Sequence, residues 1–446
     1  MDQLELEIEG WRAFVEQSPA VDGRDVEELE DHLRDQIADL TEAGLTADEA
    51  FLIAVRRLGS IDEISREFAR ENSGRLWRQL TAPGASDLEQ TERWWRQALL
   101  FAFAAAVTFQ IAFLAAGTPP GESSWLVRNA SLLVLPFLAG YFVARRRLSW
   151  NQVLVTAAPF VVAAVVINVY PFIDGGSTEL LAATHLPVAL WFVVAYPYMN
   201  GVSRSHERRM DFVRFTGEWF IYYVLISLGG GVLVGLTLAV LEPAGVDPDQ
   251  IAQWVLPWGS AGAVIVAAWL VETKQRVVEN MAPVLTMVFT PLFALMLAGA
   301  AVVYAVTGLG GAFNRELLGV FDALLVVVLG LVLYGISARD PLQGPGWMDR
   351  IQLVAVVSAL VLDLMVLGVM VARIGELGFT PNRTAALGLN VLLLVSLVGT
   401  AWLSARFLTG HSTFNRLERW QTTYLPVFGI WAAAVVVVLP PLFSFS

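Results

Sequence analysis

Apolar residues in this chain gather into eleven runs of about twenty, separated by short polar stretches, and this alternation dominates the sequence. The runs centre on residues 98–117, 126–144, 150–170, 180–199, 216–241, 253–271, 281–306, 317–337, 351–372, 384–405 and 424–443. Crossing a bilayer takes about 20 mainly apolar residues in a helix. The pattern therefore predicts an all-α polytopic membrane domain over residues 97–446 with about eleven spans, the second and fourth being the least apolar.

Before residue 70 the pattern changes to short amphipathic segments. Helices are predicted over Leu4–Glu16 and Val26–Ala43, the second with Val26, Leu29, Leu33, Ile37 and Leu40 at helical spacing. Gly44 supplies a stop, and Thr46 with Glu49 forms a capping box for a third helix through Leu58. After Gly59, Ser60 with Glu63 opens a fourth, with Ile61, Ile64 and Phe68 on one side. Residues 1–70 thus read as a small helical bundle. His32, flanked by Asp31 and Asp35, reads as part of a solvated helix face and not as a metal ligand. Residues 71–96 read as a linker: Pro83-Gly84 breaks helix, and Trp94 and Trp95 between Arg93 and Arg96 mark the headgroup region. Trp77 with Arg75 and Arg78 offers a short interfacial helix as an alternative reading of part of that linker.

Composition adds a bias in charge. The formal net charge of -12 lies wholly in residues 1–70, which hold 19 Asp/Glu against 7 Arg; the other 376 residues carry 22 of each sign. Such an acidic segment disfavours nucleic acid and anionic headgroups and favours a basic protein surface. The opening MDQLELEIEG is acidic and has no apolar stretch behind it, so it does not read as a signal peptide. Cysteine is absent, which excludes disulfides and thiolate metal sites.

Within residues 25–70, the LEDHLRD helix, GLTADEAFLIAVRRLG and the closing EISREF resemble the short bacterial prefix domain found ahead of some permeases. The same domain occurs in membrane proteins encoded beside PadR-type transcription regulators. The resemblance implies a cytoplasmic interaction or signalling module and carries no functional residues. Residues 210–420, through GFTPNRTAALGL and ENMAPVLTMVFTPLFALML, resemble a bacterial polytopic family, domain of unknown function 4153. Its Gly-x-Thr-Pro-Asn-Arg box matches Gly378 to Arg383, although Leu377 stands where that family has an aromatic residue. No substrate comes with this likeness.

Lys and Arg are depleted from translocated loops. With the N-terminus in the cytosol, inner loops hold fourteen of them, including Arg145–Arg147, Arg204, Arg208, Arg209 and Arg214. Outer loops hold four: Arg128, Arg315, Arg373 and Arg383. The expected location is a bacterial inner membrane, with the N-terminus cytoplasmic and the C-terminus outside.

Ionisable groups inside spans are costly and mark functional or pairing sites. Asp363 lies deep in its run, where a proton relay and a structural hydrogen bond to a neighbouring helix both fit. Asp322 and His185 fall nearer the outer ends of theirs, and Asn168 and Asn390 are candidates for contacts between helices. Glu218 is placed at the start of the fifth span, near the helix macrodipole's positive end. Gly231-xxx-Gly235 has the spacing of a helix-packing motif. In RIGELGFTPNRT, residues 373–384, Thr380 reads as a helix N-cap and Pro381 as the first helical residue. Arg383 and Arg373 break the positive-inside pattern, so a carboxylate partner is expected for Arg383 among Glu376, Glu316 and Asp322, with Asp363 less suited because it is deeper.

No HExxH pair, GxSxG elbow, P-loop or dinucleotide fingerprint occurs, and the histidines at 32, 185, 206 and 411 are scattered. The chain reads as a non-enzyme without cofactor or metal, embedded in lipid. The preferred functional reading is a sensor or scaffold whose residues 1–70 engage a cytoplasmic protein, a PadR-like regulator among the candidates. The alternative is a proton-coupled transporter using Asp363.

Overall fold

A computed structural model of the chain describes residues 23–42, 85–117, 124–241, 248–273, 281–307, 315–339 and 344–446, with single positions between residues 4 and 54. It divides into two compact units, Met1–Arg93 and Trp94–Ser446.

In the first unit, α1 spans Gly23–Glu42. Leu33, Ile37 and Leu40 recur at the spacing of one helical face, and they are buried with Ile8, Ala50 and Ala54. Asp31, Asp35 and Asp39 recur every four residues and are exposed. Arg34 ties α1 to the chain before it, reaching Glu5 at 2.7 Å and Glu30 at 2.9 Å. The predicted first and third helices are represented by helical residues at Leu4, Glu5, Ile8 and Arg12, and at Ala47, Ala50, Phe51 and Ala54. The Gly44 stop, the Glu49 half of the capping box, the fourth helix and Trp77 lie outside the described residues.

The second unit holds α2 (Ala85–Ala116, counted here from Trp94), α3 (Ser124–Arg146), α4 (Trp150–Val169), α5 (Ser177–Tyr198), α6 (His206–Leu241) and α7 (Pro248–Thr273). There follow α8 (Met281–Thr307), α9 (Arg315–Ala338), α10 (Trp347–Leu377), α11 (Pro381–Leu408), α12 (Phe414–Val437) and the single turn α13 (Leu439–Leu442). All regular structure among the described residues is helical, and eleven helices, α2 to α12, are long and apolar enough to cross a membrane. Each coincides with one predicted run, so the polytopic all-α reading stands. Three boundaries differ. The helix that holds the first span begins at Ala85, inside the stretch read as linker. The helices α6 and α12 each start about ten residues before their apolar runs, at His206 and Phe414. Helix continues wherever backbone bonds and packing support it, and the polar start of α6 is anchored to α12 by Arg209, which donates to Thr422 O (3.0 Å). At the far end Pro440 and Pro441, which lack an N–H donor, follow the last residues of α12.

Two cores organise the helices. Leu138, Phe142, Leu190, Val194, Phe215 and Ile265 belong to the first, built from α2 to α7. Phe142 is its aromatic hub, edge-on to Tyr198 at 5.3 Å and to Phe215 at 5.5 Å between ring centroids. Leu297, Leu325, Val328, Val356, Leu362 and Leu393 belong to the second, built chiefly from α8 to α11. The start of α6 serves both: Phe212 and Phe215 face the first core, Met210 and Val213 the second. α12 joins them, packing on α5 and on α11.

Polar contacts sort the helix ends into two sets. At one end, Arg128 at the start of α3 pairs with Glu179 at the start of α5 (2.8 Å). There too Ser446 O accepts from Thr178 N (2.9 Å), and Asn382 donates to Ser177 (3.3 Å). At the other end, Arg145 and Arg146 meet Glu272, Arg214 donates to Ser337 O, and Arg209 donates to Thr422 O. Trp94, where the chain enters the unit, lies beneath Arg145 at 4.3 Å. Entry and C-terminus therefore occupy opposite ends, as an odd number of crossings requires.

Candidate functional site

A buried polar group of the second unit lies among α9, α10 and α11. Asp363, near the middle of the 31-residue α10, is 0 % exposed, and no donor reaches either of its carboxyl oxygens. Asp322 of α9 is half-buried and acts on Asp363 electrostatically. Asn390 of α11, also 0 % exposed, donates Nδ2 to Asp322 Oδ1 (2.8 Å) and to the Ala386 carbonyl one turn earlier (2.9 Å). Its own Oδ1 receives no donor. The group is thus rich in acceptors and holds one amide as its donor. Further along α11, Gln421 of α12 donates to Thr400 (2.6 Å), which donates to Ser396 O (2.6 Å), a polar seam that sequence spacing did not single out.

The 373–384 stretch resolves into two caps placed back to back. Gly378, at φ 73, ends α10, a conformation glycine adopts without Cβ strain. Thr380 caps α11 by accepting from Arg383 N (3.4 Å), and Pro381 occupies its first turn. Arg383 does not find the carboxylate expected of it. Its Nη1 donates to Leu377 O (3.1 Å) and Gly378 O (2.9 Å), and among the described residues no acid pairs with it. The physical reason is that a helix C-terminus presents unpaired carbonyls and a partial negative charge, which attract a cation as a carboxylate would. Glu376 is exposed, Arg373 is half-buried one turn before the helix end, and the Glu316 side chain lies outside the described residues.

Other candidates are not brought to this group. His185 Nδ1 donates to Leu181 O (2.9 Å), a local bond within α5. Asn168 forms a reciprocal amide pair with Asn129 of α3 (2.8 and 3.0 Å) and accepts from Trp125 Nε1 (2.9 Å). Gly231 and Gly235 have no atom within 4 Å of where a Cβ would stand, so the packing read from their spacing is not made among the described residues. Close approach occurs instead at Gly388 and Gly399 of α11, where a Cβ would overlap the rings of Trp431 and Trp420.

At the opposite end a charged cleft of about 580 Å³ is lined by Arg146, Glu207, Arg208, Asp211, Arg214 and Glu218, with Tyr198 and Phe215 as its aromatic wall. Glu218 is buried more than three turns inside α6, where the macrodipole, confined to the first turn, does not reach it. Beside the cleft, Glu272 receives Arg145 Nε (2.5 Å) and Arg146 Nη2 (2.9 Å), joining α3 to α7. In the sequence these arginines bear on topology only, and Glu272, at the polar edge of an apolar run, carries no local signal of its pairing.

Comparison with family models, with curated proteins and with solved structures finds no match. The chemistry of these residues therefore carries the functional reading.

Proposed function

We propose that this protein is a sensor or scaffold of a bacterial inner membrane whose acidic N-terminal unit engages a basic cytoplasmic protein. The observation that carries the reading is the stripe of exposed carboxylates Asp31, Asp35 and Asp39 on α1, opposite the buried Leu33, Ile37 and Leu40. A solvated row of like charge favours encounter with an oppositely charged surface. The confinement of the chain's net charge to residues 1–70 supports it, as does the resemblance of that segment to prefix domains of PadR-associated membrane proteins. The Arg-rich end of the helical bundle faces the cytosol in this reading, by the positive-inside rule.

A photo-crosslinker at the exposed Ala38 of the full-length protein in native membranes tests it. The expected result is an adduct of one defined mass, weakened by salt and lost when Asp31, Asp35 and Asp39 are changed to Lys. An adduct indifferent to that charge reversal, or none, contradicts the reading.

A second reading, a carrier coupled to protons, has Asp363 in its favour, since a buried carboxyl without a donor is a group able to load and unload a proton. Uptake into proteoliposomes driven by a proton gradient and abolished by Asp363→Asn is the result it requires.

A further inference from the structure

Among the described side chains, no cation pairs with Asp363, Asp322 or Asn390. Helices α8, α9 and α11 pack against α10. α8 contains no charged residue, and its one tyrosine, Tyr304, lies against Phe321 near the helix end. α9 brings Asp322, its remaining charges being Arg315 and Glu316 at its first turn. α11 is uncharged between Arg383 and Arg406, and Arg383 is bonded to the Leu377 and Gly378 carbonyls. On α10 itself the nearest cation in sequence is Arg373, ten residues and roughly 15 Å along the axis from Asp363. Two ionised carboxylates here would place a charge of -2 in a region of low dielectric with no compensating side chain among the described residues, an arrangement that desolvation strongly disfavours.

The hydrogen-bond inventory shows the same deficit independently. Asp322 is served by the Asn390 amide, which suits an anion. Asp363 Oδ1, Asp363 Oδ2 and Asn390 Oδ1 are acceptors without donors, on side chains that are fully buried. One O–H on Asp363 lowers the charge to -1 and supplies the kind of donor that the group lacks.

We propose that Asp363 is an exchangeable proton site of the membrane unit, with Asp322, held by Asn390, as the ionised partner through which the proton is exchanged. Asp363 is sealed near the middle of α10, whereas Asp322 is half-buried and only seven residues from the start of α9, so Asp322 is the member nearer to a helix end. Moving the proton breaks one O–H bond on Asp363 and forms one on Asp322; the negative charge moves the opposite way, and the pair stays at -1. The site gives the sensor reading a chemical input, protons, and gives the carrier reading its coupling ion. It requires neither a protein partner nor a solute.

Infrared spectroscopy of the full-length protein in lipid vesicles reads it directly. The expected result is a protonated carboxylic acid band at neutral pH that shifts in deuterium oxide. That band should be lost entirely in Asp363→Asn, kept in Asp322→Asn and unchanged when sodium is replaced by choline. If Asp363→Asn does not fold, Asp363→Glu serves in its place and moves the band without deleting it. No band dependent on residue 363, a band that never exchanges, or one lost in Asp322→Asn overturns the assignment. A band seen only without sodium overturns it in favour of a sodium site. Because the band is read without transport or a partner, its absence is distinguishable from failure of either reading of function.

Discussion

Arg383 Nη1 lies 2.9 Å from the carbonyl oxygen of Gly378, so the arginine at the start of α11 closes the end of α10. Together with the bond to Leu377 O it turns two helix ends into one fitted corner. Replacement by Ala should cost about 1 kcal/mol, the usual net worth of a hydrogen bond of this kind. Glu376→Gln should change nothing, and the double variant should be additive with Arg383→Ala. Thermal unfolding of the purified protein in detergent checks both; coupling between the two positions would mean that the arginine uses the acid after all.

Glu272 carries a heavier burden. Its side chain is 3 % exposed beneath two guanidiniums, Arg145 at 10 % and Arg146 at 35 %. Glu272→Ala leaves two cations facing each other without their anion, and should destabilise by about 3–5 kcal/mol, the range for breaking a buried pair. Arg145→Ala should cost more than Arg146→Ala, because the more buried guanidinium is less screened by water and its loss leaves Glu272 with only the more exposed partner. Unfolding midpoints of the three variants give the ranking, and equal losses for the two arginines would contradict it.

The glycines can be separated by substitution. Gly388→Ala and Gly399→Ala each force a tryptophan ring to move and should cost about 1–3 kcal/mol, as overpacking does. Gly231→Ala, with open space around it, should be neutral or slightly stabilising. Melting temperatures in one detergent settle the comparison; a large loss at Gly231 would reveal a contact with something beyond the described residues.

In the N-terminal unit, hydrogen bonding to Arg34 is the main cause that holds the Glu5 carboxyl below its ordinary range, with the guanidinium's charge acting in the same direction. A carboxylate held down in the folded state stabilises fully above its ordinary value and loses that contribution as pH falls through the lower, folded one. The Arg34 to Glu5 contact should therefore persist at neutral pH and open in acid. Arg34 side-chain resonances followed through a pH titration report it, and Glu5→Gln should remove the transition.

Much of the fold was legible because the bilayer imposes one length and one composition on every crossing. Each apolar run became a helix, and Thr380 and Pro381 took the capping positions their chemistry suits. Residues whose role depends on a distant partner were not legible. Glu272 pairs with a helix more than a hundred residues earlier, and Asn390 meets Asp322 across 68 residues. Nothing in local spacing announces either. Gly388 and Gly399 lack a recognised spacing, whereas Gly231 and Gly235 have one and no neighbour, since a motif states only that close approach is allowed. Arg383 misled through its sign: a cation calls for negative potential, and helix carbonyls supply it without an acidic side chain.

If all eleven apolar helices cross the membrane, residues 1–70 and the C-terminus fall on opposite sides of it. The chain has no cysteine, so single cysteines at Asp35 and at Ser446 can be probed with a membrane-impermeant maleimide on a clean background. The cysteine at 446 should label in intact cells, and the one at 35 only after the membrane is opened. Labelling of both in intact cells, or of neither, would contradict the odd number of crossings.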